Sequence, residues 1–205
     1  MNEKTKKVLK ILLGIFTFLI IVGIILSILF LYKYIAYLKN KDDIDNIYNI
    51  YNNDNRQEIV NQYTDDNSLG VPTNDGTIAI ATLEIPSIDF KNIVVEGTTQ
   101  NDLAKGIGLF EHSNILDGNV CLAGHNSNRL LANLKDVKEG DIIKYSSCLG
   151  NRTYKVSHIE QIEETNWSYL EDTEDNRITI ITCVKGQKNL RLCVQAKEVK
   201  WNFFY

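Results

Sequence analysis

Apolar and polar positions divide this chain into three textures. From Ile11 to Tyr32 every residue is uncharged and Ile, Leu, Phe and Val dominate, a run of 22 residues. At a helical rise of about 1.5 Å per residue the run reaches roughly 33 Å, enough for a hydrocarbon core of about 30 Å. A secretory signal peptide would carry an apolar region of only about 7 to 15 residues, closed by small residues. Here the run passes into Leu31-Tyr32-Lys33-Tyr34 without an Ala-x-Ala site. It therefore predicts a transmembrane anchor over 11–32, with 1–10 as a tail. Between Lys33 and Asp75 the composition turns to Asn, Asp, Tyr and Lys. Few residues there could form a continuous apolar face, which predicts a polar stalk or linker over 33–75. From Asp43 to Tyr63 the spacing of Ile44, Ile47, Tyr48 and Tyr51 by three and four makes the stalk partly helical and able to pack on a following domain. The breaker clusters Asn67-Ser68-Leu69-Gly70-Val71-Pro72 and Asn74-Asp75-Gly76 end it.

From Thr77 onward short Ile-, Val-, Thr- and Tyr-rich segments alternate with Gly, Asn and Asp turns. Strands are expected near Thr77 to Leu83, Ile93 to Glu96, Asn119 to Ala123, Asp141 to Tyr145, Arg152 to Glu160, Ile178 to Cys183 and Leu190 to Val199. Short helices are expected near Thr99 to Lys105 and Asn128 to Leu134. Closely spaced strands with minor helices predict a mainly β domain over 76–205, a closed or nearly closed, antiparallel-rich barrel of about eight strands.

Charge narrows the partners. Lys4, Lys6, Lys7 and Lys10 flank the N-terminal side of the apolar run, while Lys33, Lys39 and Lys41 on the other side weaken the asymmetry; the expected orientation is a cytoplasmic N-terminus and an extracellular domain. The formal charge is −4, and because the residues before Ile11 carry +3 (four Lys, one Glu), the rest carries −7. That acidity argues against a nucleic-acid partner, since phosphate contacts need clustered Lys and Arg. Of four cysteines, Cys121 and Cys193 sit in apolar strand-like runs and read as small buried hydrophobes, while Cys148 lies in a turn-like Ser-Ser-Cys-Leu-Gly stretch.

The fourth, Cys183, ends the β-branched run Arg177-Ile178-Thr179-Ile180-Ile181-Thr182-Cys183-Val184, just before the loop Lys185-Gly186-Gln187-Lys188-Asn189. A strand end at a barrel mouth presents a reactive group on rigid backbone. If the 185–189 loop is a tight turn, Arg191 in the next strand comes beside the sulfur. A second apolar strand, Val120-Cys121-Leu122-Ala123-Gly124-His125, ends in Gly and His, and small residues there would let the imidazole approach another strand. A Cys and a His far apart in sequence, both ending strands, form the general signature of a thiol nucleophile with its base.

These residues resemble a known family. Thr179-Ile180-Ile181-Thr182-Cys183 is similar to the sortase signature Thr-Leu-x-Thr-Cys with Ile in place of Leu, Leu122-Ala123-Gly124-His125 resembles the strand end carrying the family's catalytic His, and Arg191 falls where its essential Arg is expected. The order His, Cys, Arg and the N-terminal anchor agree, and the likeness covers about Thr77 to Val199. It implies a sortase-type barrel and a membrane-anchored cysteine transpeptidase. Such an enzyme cleaves a Leu-Pro-x-Thr-Gly-like sorting signal between Thr and Gly through a thioacyl intermediate, then passes the protein to an amine of the cell wall or a pilin Lys. Its partners would be surface proteins with a C-terminal sorting signal and the acceptor amine, with no cofactor and no metal, although the acidic stretch Glu171 to Asp175 leaves a weak calcium site open. Cys183 would be the nucleophile, His125 the proton carrier and Arg191 the stabiliser of the reacting carbonyl. Thr182 would touch substrate or shape the site, and Trp167, Tyr169 and Leu170, in the 163–176 segment before the nucleophile strand, would line the groove for the signal. His158 reads as structural or surface, and His112 as an accessory near the site. A short 185–189 loop, no long helical insert before the Cys strand and a single anchor look most like class D, with classes A and B as alternatives. Two other readings remain open: a thiol hydrolase of cell-wall peptides, and a catalytically silent surface-binding barrel.

Overall fold

A computed structural model describes residues 2–55, 58, 60–61 and 70–199. Asn67, Ser68 and Leu69, and most of the periodic stretch between Asn55 and Tyr63, lie outside the described residues. The chain divides into two compact units, Met1–Asp42 and Asp43–Tyr205, and one helix, α1 (Glu3–Tyr51), contributes to both. In the first unit large apolar side chains such as Phe16, Leu19, Ile24 and Phe30 are exposed all round the helix. The hydroxyls of Thr17 and Ser27 donate back to the carbonyls of Gly14 and Gly23, each at 2.9 Å, so these polar atoms are satisfied within the helix. The helix is long and apolar enough to cross a membrane, where intrahelical bonds are the backbone's only partners.

In the second unit a two-stranded ribbon, β1 (Val71–Pro72) and β2 (Ile78–Ala79), precedes the barrel strands β3 (Ala81–Ile85), β4 (Phe90–Glu96), β5 (Ile107–Leu109), β6 (Asn119–Gly124), β7 (Ile142–Ser147), β8 (Gly150–Glu163), β9 (Arg177–Val184) and β10 (Gln187–Glu198). They close in the order β10-β8-β7-β3-β4-β5-β6-β9. The barrel that the strand pattern predicts is thus present and closed. Six of its ladders are antiparallel, while β4 with β5 and β6 with β9 are parallel. The three residues of β5 are too few to show alternation, which is why the sequence pattern misses that strand. Between β4 and β5 runs α2 (Gln100–Lys105), started by a capping box in which Thr99 and Asp102 satisfy each other's backbone N–H groups. The second expected helix forms as a 3-10 helix, Leu131–Asp136, a few residues later than its pattern indicates.

Side-chain alternation sorts each strand into a face that fills the barrel and a face that looks outward. Val120 and Leu122 of β6, Ile178 and Ile180 of β9, and Val194 and Ala196 of β10 point in and join one continuous core. On β8 the parity changes midway. The register with β10 shifts between Gln195 and Ala196, so Tyr154 and Val156 point inward before the bulge and Ile159 after it. That single extra residue, Ser157, leaves His158, Glu160 and Ile162 on the outer face.

The last turns of α1, within this second unit, pack on the barrel. Ile44, Ile47, Ile50 and Tyr51 form a separate apolar cluster that includes Val71, Ala79, Ile93, Val95 and Cys148. Tyr51 is fully buried, and its hydroxyl donates to the Ala79 carbonyl at 2.5 Å. Tyr48 donates to Glu84 at 2.7 Å and lies under the Lys91 ammonium, 4.1 Å from the ring centre. Lys91 also reaches Asp45 at 3.1 Å.

Candidate functional site

Three rows of side chains cross the outer face of strands β6, β9, β10 and β8. Cross-strand pairing aligns Cys121, Thr179, Gln195 and His158 in one row, and Ala123, Ile181, Cys193 and Glu160 in the next. The last row, at the strand ends, holds Cys183, paired with Arg191, which in turn pairs with Ile162. His125 completes it: the parallel ladder of β6 and β9 ends with Gly124 opposite Thr182, so one step further His125 and Cys183 leave adjacent strands on the same face, strands that lie about 4.8 Å apart. The Asn126 amide donates to the Cys183 carbonyl at 2.6 Å and holds these two ends together past the ladder.

Arg191 reaches Cys183 through a bulge. Val184 pairs with Gln187 across a two-residue turn, Lys185-Gly186, in which Gly186 takes φ +81°. In unbroken register Lys188 would then face Cys183. Instead Arg191 does, because the ladder is interrupted between Gln187 and Arg191. The bulged segment is held by the guanidinium itself, whose Nη1 donates to the carbonyls of Lys188 at 2.7 Å and Leu190 at 3.0 Å, and by the Glu164 amide, which donates to the Asn189 carbonyl at 2.8 Å. Nη2 pairs with the Glu164 carboxylate at 2.7 Å.

The segment from Glu164 to Asn176 lies over the two lower rows and leaves Cys183 exposed. Asn119, 3% exposed, fastens it: both amide hydrogens are used, on the carbonyls of Tyr169 at 3.0 Å and Glu171 at 2.8 Å, while its oxygen accepts from Thr179 at 2.8 Å. Tyr169 stacks on His158 with ring centres 6.3 Å apart and hydrogen-bonds to Glu160 at 2.5 Å, and His158 reaches the same carboxylate at 3.1 Å. Those two bonds hold the Glu160 carboxyl below its ordinary range, the Tyr169 hydroxyl contributing most. Between this cover and the strands lies an open groove of about 380 Å³, lined by Phe110, Ile162, Trp167, Leu170, Ile181 and Arg191 among others. Beneath the cover the thiols of Cys121 and Cys193 are buried, and loss of hydration pushes each up to about 12. None of the four cysteines forms a disulfide, and Cys183 alone among them is exposed.

An exposed thiol, an imidazole following the neighbouring strand end and, across the ladder, a guanidinium that lines the groove have the parts for acyl transfer. Comparison with known proteins identifies the domain that carries these residues. A family model described as the Sortase domain matches residues 83–199, more than half the chain. The chain belongs to the sortase family. Sortases are cysteine transpeptidases. Among curated relatives, "Sortase A" of Listeria monocytogenes is 29% identical over 135 residues, 64% of this chain and 61% of the relative. "Sortase D" of Bacillus subtilis is 28% identical over 104 residues, 49% of this chain and 52% of the relative. The chain therefore spans between half and two thirds of the length of these relatives. The crystal structure of Listeria monocytogenes sortase A superposes with a TM-score of 0.56 at 30% identity, covering 60% of this chain and 88% of that one.

In this sortase the residues singled out in the sequence fall into three places. Cys183 and Arg191 pair across the ladder, His125 directly follows the last paired residue of β6, and Trp167 and Leu170 line the groove, Trp167 being 64% exposed. Tyr169 turns to His158 and Glu160, so its contacts anchor the cover. Thr182 points into the barrel, buried, and donates to the Gly124 carbonyl at 2.8 Å, which ties β9 to β6 one step before Cys183 and His125. Gly124 also faces inward. A Cβ there would meet Leu131 and Ile107 side chains at 2.7 and 2.8 Å, so this glycine makes room for barrel packing, whereas the sequence pattern assigns its small size to the approach of the imidazole. His112 is exposed in the turn after β5. Among the described residues no group of three or more His, Cys, Asp or Glu is arranged to hold a metal ion. Asp172 instead accepts from the amides of Asn119 and Thr173, and Asp175 pairs with Arg177 and Lys197. Asn119, Asn126 and Glu164 carry much of the site's geometry without any sequence signal, because each acts through a partner at least 25 residues away.

Proposed function

We propose that the chain is a membrane-anchored transpeptidase of class D character that cleaves a Leu-Pro-x-Thr-Gly-like sorting signal between Thr and Gly and joins the new carboxyl end to an amine of the cell wall or a pilin Lys. The observation that carries this reading is the pairing of the exposed Cys183 with Arg191, which itself lines the groove, beside the strand end that leads to His125. The Cys183 thiolate attacks the Thr carbonyl carbon, and the negative charge that develops on its oxygen is met by Arg191. Collapse of this tetrahedral species breaks the Thr–Gly bond as His125 gives its proton to the departing Gly amine, leaving a thioester. An incoming amine attacks the thioester, gives a proton to His125 and expels the Cys183 thiolate, so the cycle returns to its starting state without a cofactor. Trp167 and Leu170 receive the apolar part of the signal. Thr182, through its bond to Gly124, keeps the His and Cys strand ends in register.

Class D character rests on the two-residue turn after Cys183's strand and on a cover segment with only one three-residue 3-10 turn, Ser168–Leu170. The apolar helix anchors the chain with its N-terminus in the cytoplasm and the barrel outside, an orientation tested by protease added to intact protoplasts, which should remove the barrel. The reaction is tested with a sorting peptide in the presence and absence of a glycine-derived amine. Transpeptidation gives the new amide at the expense of the free acid. Release of free acid at a rate and yield indifferent to any amine would instead make the protein a thiol hydrolase, and no turnover would leave a silent binding barrel.

A further inference from the structure

We infer that Glu164 is a positioning residue that fixes the plane of the Arg191 guanidinium for the reacting carbonyl. This inference rests on the reading of Cys183, His125 and Arg191 as the acyl-transfer row. A guanidinium has five N–H bonds in one plane. In Arg191 both Nη1 hydrogens have acceptors, the carbonyls of Lys188 and Leu190, and one Nη2 hydrogen is held by Glu164. Among the described contacts this leaves Nε–H and the second Nη2–H, two hydrogens that a substrate oxygen can accept. The Cδ tether and the two Nη1 bonds hold one side of the group; the Glu164 bond pins the Nη2 corner, and without it that corner can tilt away from the reacting carbonyl.

Glu164 is itself placed by backbone. Glu163 pairs with Leu190, and one residue further the Glu164 amide donates to the Asn189 carbonyl at 2.8 Å, so the ladder continues into the bulge. Its carboxylate is thus delivered from the strand end, independently of the Asn119 contacts that hold the cover. The pair is 26% and 43% exposed at its two side chains, which makes it a weak source of stability but a sufficient source of orientation. A side-chain change at 164 leaves both backbone bonds in place, so orientation can be removed without unfolding the loop.

The test uses the full chain in nanodiscs. Single-turnover thioester formation is followed by intact-protein mass with a Leu-Pro-x-Thr-Gly peptide for the wild type, Glu164→Ala, Glu164→Gln, Arg191→Ala and the Glu164→Ala/Arg191→Ala pair. Glu164→Ala should slow acylation about tenfold with little change in the peptide concentration giving half-maximal rate, whereas Glu164→Gln, which keeps an acceptor oxygen, should stay within about threefold. On the Arg191→Ala background, Glu164→Ala should cost nothing further. A readout that needs no substrate accompanies it: with 15N-arginine, the Arg191 Nη resonances, assigned through Arg191→Lys, should be separate at low temperature in the wild type and Glu164→Gln and merged in Glu164→Ala. The inference is overturned if Glu164→Ala acylates at the wild-type rate, if its loss persists undiminished without Arg191, or if the Nη resonances ignore residue 164. Absence of any adduct in the wild type, with the Nη pattern as expected, would instead sink the acyl-transfer reading and with it the catalytic purpose assigned to Glu164.

Discussion

Replacing Asn119 tests how the substrate groove is built. Its amide makes three side-chain bonds, to the carbonyls of Tyr169 and Glu171 and from the Thr179 hydroxyl, at a position 3% exposed. At a net value of about 0.5–1.5 kcal/mol per bond, the three together contribute about 1.5–4.5 kcal/mol. Residue 171 is exposed and residue 169 half-buried, so both freed carbonyls can turn to water, and the lower half of that range applies, about 2 kcal/mol. Asn119→Ala should therefore lower the melting temperature by roughly 4–8 °C and shift the equilibrium for release of the 164–176 cover by about thirtyfold. Asn119→Asp is the sharper probe. It keeps an acceptor for Thr179 but cannot donate, and it sets a carboxylate against two carbonyl oxygens. Amide hydrogen exchange across 164–176 should quicken in both variants, and KM for a sorting peptide should rise up to about tenfold with kcat nearly unchanged, because Asn119 touches none of the Cys183 row. A folded Asn119→Asp variant with unaltered exchange in the cover and unaltered KM would refute the claim that this amide holds the groove wall.

Thiol chemistry should separate the cysteines: at pH about 8 a haloacetamide should label Cys183 alone, since Cys121, Cys148 and Cys193 are buried and burial keeps Cys121 and Cys193 protonated up to about 12. A thiol raised above its unfolded value of about 8.5 gives stability that is complete below that pH and is lost as pH climbs toward the folded value, so urea midpoints should fall between pH about 9 and 11, and a Cys121→Ala/Cys193→Ala variant should show a shallower fall. Ile47→Ala, which empties a 1%-exposed position between α1 and the barrel, should cost about 2–4 kcal/mol in chemical denaturation while leaving the turnover of folded enzyme unchanged. Asn126→Ala, by freeing the Cys183 carbonyl from the segment that carries His125, should lower kcat about tenfold at unchanged circular dichroism; equal rates would mean the ladder alone holds the pair.

How much of this was legible beforehand depended on the range of the interactions involved. The β-branched runs ending in Cys183 and His125 could be read because strand alternation and turn residues are local, and so could α2, whose capping box lies within four residues. The approach of Arg191 to Cys183 could be guessed from an eight-residue spacing, but the form it takes could not. The 185–189 segment is not one tight turn; it is a two-residue turn followed by a bulge whose carbonyls are tied down by Arg191 and Glu164. Likewise the parity change at Ser157, which sends His158, Glu160 and Ile162 outward, arises from pairing with β10 and leaves no trace in β8's own pattern. Continuity of α1 through the polar stretch to Tyr51 was hidden for a similar reason: its last turns gain their partners, Ala79, Glu84 and Lys91, from strands more than 25 residues away. Asn119 was the most informative omission. The strand pattern includes Asn119 but says nothing of what its amide binds, and only the folded chain shows two carbonyls of the cover within its reach.

The central claim, that the sulfur of Cys183 takes the acyl group with His125 and Arg191 beside it, is tested most directly by trapping. The full-length chain, mixed with a Leu-Pro-x-Thr-Gly peptide in the absence of an amine and quenched in acid, should gain the mass of the peptide up to its Thr, with fragmentation placing that mass on Cys183. Adduct should be absent in Cys183→Ala and strongly reduced in His125→Ala and Arg191→Ala. A wild-type chain that turns the peptide over yet never carries it on residue 183, or carries it on another cysteine, would contradict the account.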